Sequence, residues 1–298
     1  MFQSNKTCFI TLNKKKGYSS ASSLNRLKSL LKIKKCGFCG TLDPIAEGVL
    51  VVAVNKATKL IRMVTDLDKV YSGKMDLGFT SPSYDTETVV KSSGVTVNIA
   101  EIDFDGLKKK FTGELEQKPP VYSALKVNGQ RAYELARKGE SVDLKPRKVT
   151  IRDLDISVVS SNTLAFKVTC SKGTYIRSLV NDIGIETGFG AVMTELVREK
   201  VGEFSIKNSV TIDEVKENPG IIEEKGVMTI DDFLKEYPSF ELSDKEYGYF
   251  RNGSDISKSG ISFSQGLTSL KYCGETLFLI KKDGEELSYF AFLGSGND

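Results

Sequence analysis

Residues 34–50, KKCGFCGTLDPIAEGVL, set two kinds of chemistry side by side. Cys36 and Cys39 have the C-x-x-C spacing of a redox or zinc pair. Asp43, followed by Pro44, puts a carboxylate on a tight turn. The chain has no histidine, which removes the commonest metal ligand and the commonest proton shuttle at neutral pH. Acid–base or nucleophilic work must fall to Asp, Glu, Lys, Tyr, Cys, Ser or Thr. A thioredoxin-like site needs its cysteines at a helix start, where the helix lowers the thiol pKa. Here Gly40 and Pro44 interrupt any helix, and a strand follows. Zinc needs four ligands, and there is one C-x-x-C with no second pair. The cysteines therefore read as small buried residues packing a turn. Lys34 and Lys35, able to depress the Cys36 pKa, keep a thiol oxidoreductase open as a rival.

A reactive side chain works only where rigid elements hold it. Residues 8–13 read as a short strand, and 19–33 as a helix with hydroxyl residues as N-cap candidates and Leu24, Leu27 and Leu31 on one face. GVLVVAV at 48–54 is a buried strand, and 69–79 alternates as a strand that carries Tyr71. A short basic helix is expected at 106–115. Pro119 and Pro120 make a loop of the start of 117–140, which passes into helix near 131–138. Residues 155–173 form a hairpin about Ser161 and Asn162, leading into a helix that Gly188 can cap. Hairpins and helices mixed without regular βαβ repeats predict an α+β fold. A composition break near 237–240 precedes a β-rich tail with an Asp-Gly turn, read as a small second domain.

A chain of 298 residues holds one large domain, or one large and one small, with ample material for a core. Its 40% hydrophobic and 27% charged residues are ordinary for a folded soluble protein. No apolar run reaches the length of a membrane span, and the N-terminus lacks a signal-peptide apolar block, so a cytoplasmic, reducing home is expected. Five scattered cysteines argue against a disulfide framework. Net charge is only +3 but is unevenly spread. Residues 1–42 contain nine Lys/Arg and no acid, which makes Asp43 the first carboxylate in the chain. A second basic stretch, 118–152, has nine Lys/Arg against three acids, and from Glu203 onward 18 acids face ten basic residues. Basic stretches with interleaved Tyr and Gly favour a polyanion partner, and the acidic tail confines that contact to part of the molecule.

GxxGTLDPxAxGVL (37–50), KxY (69–71) and CSKGTYIRSL (170–179) stand in this order, with NKKKGYSS (13–20), PPVYSALKVNGQRAYELARKG (119–139) and FRNGSDI (250–256) around them. In these motifs the chain resembles the TruB family of tRNA pseudouridine synthases. The resemblance covers most of 8–205 and, more weakly, the end. It implies an isomerase that breaks the N1–C1′ bond of a flipped-out uridine, turns the base and rejoins it through C5, without cofactor or metal. It implies Asp43 as the nucleophile, attacking either sugar or base, and Arg177 as the arginine paired with it. Tyr71 corresponds to the tyrosine that stacks on the base and takes the C5 proton. Tyr175 and Leu196 correspond to residues lining the uracil pocket, and Lys172 to a phosphate contact. Phe38 stands where the family usually has histidine, in an element that wedges into the RNA loop. Lys15 replaces the usual proline.

Further expectations follow from the resemblance and the charge pattern. The core should be a mixed, largely antiparallel sheet flanked by helices, spanning 1–236 with an RNA-binding insertion near 117–148. A β-rich PUA-like domain should follow at 237–298. The substrate is expected to be uridine 55 in the T-loop of tRNA, bound as the T-arm stem-loop by a monomer. Lys14, Lys126 and Arg131 are expected at the RNA. The rival of a different kind is a noncatalytic RNA-binding or RNA-chaperone protein on the same scaffold, against which the intact set of Asp43, Tyr71 and Arg177 argues.

Overall fold

The computed structural model describes residues 2–123, 125–127, 129–140 and 143–294. Strand β1 (Cys8–Lys14) leads through helix α1 (Ser20–Leu30) to strands β2 (Cys36–Cys39) and β3 (Glu47–Val54), helix α2 (Ile61–Asp66) and strand β4 (Lys69–Leu77). A ribbon of β5 (Phe79–Thr80) with β6 (Lys91–Ser92) and helix α3 (Phe104–Phe111) precede β7 (Gly113–Gln117). Then come β8 (Lys126–Val127), β9 (Gln130–Arg131), α4 (Ala132–Arg137) and the hairpin of β10 (Arg147–Val158) with β11 (Thr163–Cys170). Helix α5 (Ile176–Glu186), β12 (Ala191–Val201), β13 (Phe204–Ser205), α6 (Ile212–Glu217), β14 (Val227–Thr229) and α7 (Ile230–Phe233) complete this part. The C-terminal part holds β15 (Ser239–Glu241), α8 (Asp244–Arg251), β16 (Gly266–Tyr272), β17 (Glu275–Asp283) and β18 (Glu286–Phe292).

Ten strands among the described residues form one sheet in the order β14-β1-β3-β12-β4-β11-β10-β7, with β2 on β3 and β13 on β12. Its pairings are antiparallel except for β3 with β12. Strand β3 reads as one apolar run because both its faces are covered. Leu50, Val52 and Val54 join Ile10, Leu12, Leu27 and Met75 on one side. Val49, Val51 and Ala53 join Phe9, Leu60 and Phe204 on the other. Helix α1 starts where the Ser19 hydroxyl accepts the Ser22 N–H, and it buries Leu27 into the first cluster. Helix α5 buries Leu179, Val180 and Ile183 there, and Gly188, at φ +75°, supplies the left-handed turn after its end.

The C-terminal sheet, β15-β16-β17-β18, has a core of its own around Phe250, Leu270, Phe278 and Ile280. It also lends Leu279, Ala291 and Leu293 to the cluster under β3. A hydrophobic core therefore crosses from one part to the other.

Two local expectations are corrected. Residues 36–39 are a strand, not a turn, paired with 51–54 of β3. The basic helix begins at Phe104, capped by the Asp103 carboxylate, and ends at Phe111, because Gly113 at φ +102° turns the chain into β7. The described residues between the paired strands β7 and β10 form an excursion from the sheet edge.

Strand β3 meets β12 through Gly48, at φ +100°, where a Cβ would lie 2.3 Å from the Arg198 carbonyl oxygen. Gly48→Ala should cost about 2 kcal/mol or more from the backbone strain and the clash together, read as a lower urea midpoint at unchanged m-value.

Candidate active site

Asp43 sits in the turn between β2 and β3, and side chains from distant segments fasten that turn. The Ser20 hydroxyl accepts from the Leu42 N–H at 2.8 Å and donates to the Leu42 carbonyl at 3.0 Å. The Ile45 N–H donates to Glu87 Oε1 at 3.1 Å, and the Gly17 N–H to the Pro44 carbonyl at 2.8 Å. Arg198 donates to the Gly40 carbonyl at 3.1 Å.

Arg177, in the first turn of α5, is 4% exposed, and its Nε lies 2.9 Å from Asp43 Oδ2 and 3.5 Å from Asp85 Oδ2. Its two terminal nitrogens donate to the carbonyls of Ser83 and Tyr122, at 3.1 and 2.9 Å. The guanidinium is thus held from three directions and shared by two carboxylates. Asp85 is fully buried, with its Oδ1 accepting from the Ser83 hydroxyl and the Glu87 N–H. The Asp43 side chain keeps 35% of its surface open to the cleft. Its pKa is raised above the ordinary aspartate value, first by burial and also by the like charge of Asp85, with Arg177 opposing both. Glu87 is raised as well, by burial and by the charges of Asp85 and Asp43.

A cleft of about 310 Å³ opens over this group, lined among others by Asp43, Tyr71, Tyr175, Leu196 and Arg198. That volume suits one nucleoside-sized ligand. Tyr71, on β4, is 9% exposed, and burial raises its pKa while Arg198 opposes the rise. Tyr175 stands at the N-cap of α5, where its N–H donates to Gln117 Oε1 and its carbonyl accepts from Gln117 Nε2. Leu196 lies on β12, 6% exposed. A larger cleft of about 1140 Å³, between residues 3–7 and the C-terminal strands, contains none of these residues.

Of the expected site residues, Asp43, Tyr71, Arg177, Tyr175 and Leu196 therefore meet in one cleft. The others stand elsewhere. Phe38 does not line the cleft; it lies half-buried on β2, opposite Val52, packed against the core. The Lys172 ammonium is exposed and paired with Asp66 at 2.8 Å. Lys14 requires a correction. It is 1% exposed and its ammonium donates to the Lys15 and Tyr18 carbonyls, so it is enclosed rather than offered to a surface polyanion. Burial lowers its pKa to about 8. The backbones of Lys126 and Arg131 pair across β8 and β9, and their side chains lie outside the described residues.

Two buried charged side chains beside Asp43 and Tyr71 escaped the sequence reading. Asp85 lies in SPSYDTET, a polar loop where no periodicity singles out one carboxylate. Arg198 did leave a signal: it sits two residues after Leu196 in an alternating strand, a charge at an inward position.

The cysteine reading fails on geometry. Cys36 and Cys39 are three apart on one strand and pack into opposite clusters. Burial raises both thiols, Cys39 to about 12, so neither is poised as a thiolate. Among the described residues no cluster of three or more His, Cys, Asp or Glu is placed to hold a metal ion.

Residues 28–176 match the N-terminal domain model of the TruB family of pseudouridylate synthases, and 177–239 match the tRNA pseudouridylate synthase B C-terminal domain. A protein named tRNA pseudouridine synthase B from Clostridium kluyveri is 42% identical over 83% of this chain and 84% of its own. One of the same name from Lactobacillus gasseri is 33% identical over 93% of this chain and 94% of its own. Among solved structures, a Cbf5-Nop10-Gar1 complex superposes with a TM-score of 0.67 at 26% identity, covering 93% of this chain and 78% of that one. An H/ACA RNP bound to a substrate RNA containing 2′-deoxyuridine shares the fold, with a TM-score of 0.70 at 21% identity, over 98% of this chain and 86% of that one. The fold and the matching family models define a pseudouridylate synthase. Within that class, the chain belongs to the TruB family.

Two outcomes follow from the shared arginine. An aspartate held protonated to higher pH loses its charge as pH falls through that raised value. The acid limb of kcat/KM should therefore lie above the ordinary aspartate value of about 4, and Asp85→Asn, by removing a like charge, should move it downward. Arg177→Met leaves two carboxylates without their cation and should destabilise the fold by about 3–5 kcal/mol, measured by urea unfolding.

Proposed function

We propose that the protein converts uridine 55 in the T-loop of tRNA to pseudouridine, with Asp43 as the nucleophile. The observation that carries this reading is an aspartate paired at 2.9 Å with a buried arginine, at the wall of a nucleoside-sized cleft. The names and extent of the relatives support tRNA as the substrate. In the isomerisation the N1–C1′ bond breaks and a C5–C1′ bond forms; C5 loses a proton and N1 gains one. A carboxylate suits this because it forms a covalent adduct, with sugar or base, and then leaves. Arg177 keeps Asp43 ionised in a setting where burial alone would neutralise it. Tyr71 and Leu196 supply flat and apolar surface against which a uracil ring can lie, and Tyr71 receives the C5 proton.

Uridine 55 lies in a folded loop and must be flipped out, at a few kcal/mol. Phosphate contacts from exposed lysines of the first basic stretch, such as Lys16, Lys34 and Lys35, offset that cost, together with Lys126 and Arg131 of the excursion. Phe38 serves the RNA loop as a stacking surface. The reading carries a monomer and a cytoplasmic setting with it.

Release of tritium from a T-arm stem-loop carrying 5-tritiated uridine tests the reaction directly. Asp43→Asn should abolish release while leaving RNA affinity within about tenfold, roughly 1.4 kcal/mol. Substantial turnover by that variant removes Asp43 from the nucleophile role. Affinity should also fall steeply with salt, and charge reversal at Lys126 or Arg131 should lower the salt slope by about one phosphate each. Reversal at Lys281 or Lys282, on the acidic C-terminal part, should leave it nearly unchanged.

A further inference from the structure

Arg198 is a buried charge to which the proposed chemistry gives no role. It is 1% exposed, and no carboxylate of the described residues forms an ion pair with it. Its partners are three backbone carbonyls and the side chain of Tyr71. Nε donates to Val49 at 2.7 Å, and the terminal nitrogens donate to Gly40 at 3.1 Å and to Thr41 at 3.5 Å. A guanidinium buried among neutral dipoles is a costly way to join two strands and a turn, and an apolar residue would serve stability better. Its place suggests what else it does. On β12 it lies directly across from Tyr71 on β4, in register, and both side chains line the cleft with Asp43.

We propose that Arg198 is a positioning residue that holds the Tyr71 hydroxyl and the turn at Gly40 and Thr41, and through that turn Asp43, in one fixed relation across the cleft. The inference deepens the proposed function and rests on it. A base that leaves C1′ through N1 and returns through C5 turns in the space between Asp43 and Tyr71, so the span between those two groups limits the reaction. The guanidinium is suited to set that span. Its planar fork reaches Val49, Gly40 and Thr41 at once, which an ammonium cannot do. Arg198 also acts on Tyr71 as a hydrogen-bonding and charged partner that favours the phenolate. The other groups acting on that hydroxyl, Cys170 from β11 and Asp43 from the turn, oppose it. Lys69, on the same face of β4, donates its ammonium to the Thr65 and Leu67 carbonyls.

The test uses the full chain, the 5-tritiated T-arm stem-loop, and the variants Arg198→Met, Arg198→Lys, Tyr71→Phe and the double variant Arg198→Met/Tyr71→Phe, with melting temperatures recorded for each. Arg198→Met should lower kcat by about a hundredfold with KM within about threefold, because it displaces groups without removing an RNA contact. Arg198→Lys should recover only part of this loss, and it carries the test if the methionine variant does not fold. The double variant should lose little more than the worse single one, because the two residues act through each other. Losses that multiply, or that fall on KM, overturn the proposal, as does full activity in Arg198→Lys. A readout independent of substrate is the 19F spectrum of protein labelled with 3-fluorotyrosine, in which the Tyr71 signal is assigned by its loss in Tyr71→Phe. That signal should titrate at higher pH in Arg198→Met than in the parent, and an unchanged titration overturns the proposal. If the parent releases no tritium, the substrate reading fails while the fluorine titration still decides the role of Arg198.

Discussion

One buried guanidinium facing two carboxylates organises this molecule. Arg177 cannot shed its charge, and within the fold it has Asp43 and Asp85 at its Nε and two carbonyls at its tips. Each partner comes from a different segment: the turn after β2, the loop after β5, and the excursion between β7 and β10. A buried ion pair is a weak source of stability but a demanding constraint on geometry, because a charge left unpaired there costs several kcal/mol. Segments far apart in the chain must therefore arrive together. The same constraint leaves Asp43 partly open to the cleft and close to its arginine, the two conditions that its proposed role places on it: charge and access.

The large sheet supplies the rigid frame for that meeting. Strand β12 runs between β3 and β4, parallel to one and antiparallel to the other, and so brings Leu196 and Arg198 beside Tyr71 and the turn of Asp43. Gly48 and Gly73 permit the close approach, since a Cβ on either would meet a backbone oxygen of β12 at 2.3 Å. The C-terminal sheet braces the opposite face of β3 through Leu279, Ala291 and Leu293 rather than standing apart. A composition break and a β-rich pattern mark this tail as a small second domain, and the apolar cluster it shares with β3 makes it part of the support as well.

The lysines show how far charge counting reaches. Lys14 belongs to a basic run that reads as surface, yet the fold encloses it, whereas Lys15 beside it is exposed and paired with Asp213. Lys14 is the last residue of β1 and lies inside, whereas Lys15 lies past the strand's end, so a run of like charges divides between inside and outside where the strand stops. Composition sees the run, and only packing sees the division. Phe38 follows the same logic: the residues around it suggest a turn, but pairing of β2 with β3 makes it a half-buried strand residue.

Asp43, Arg177, Tyr71 and most of the elements that carry them are legible in the sequence alone. Their signals are local: an Asp-Pro turn flanked by glycines, an apolar run, an alternating strand, and motifs whose order is written along the chain. The absence of histidine and of a second C-x-x-C already weighs against a cysteine site, and the two thiols, packed into opposite clusters, show the geometric reason. Which charges share the interior is a matter for tertiary structure. Asp85 and Arg198 are 92 and 155 residues from Arg177 and Asp43 respectively, by difference of their positions, and no local pattern ties such residues together. Their roles exist because sheet register and one buried guanidinium bring them into the same small volume, where the cost of an unpaired charge leaves few other arrangements.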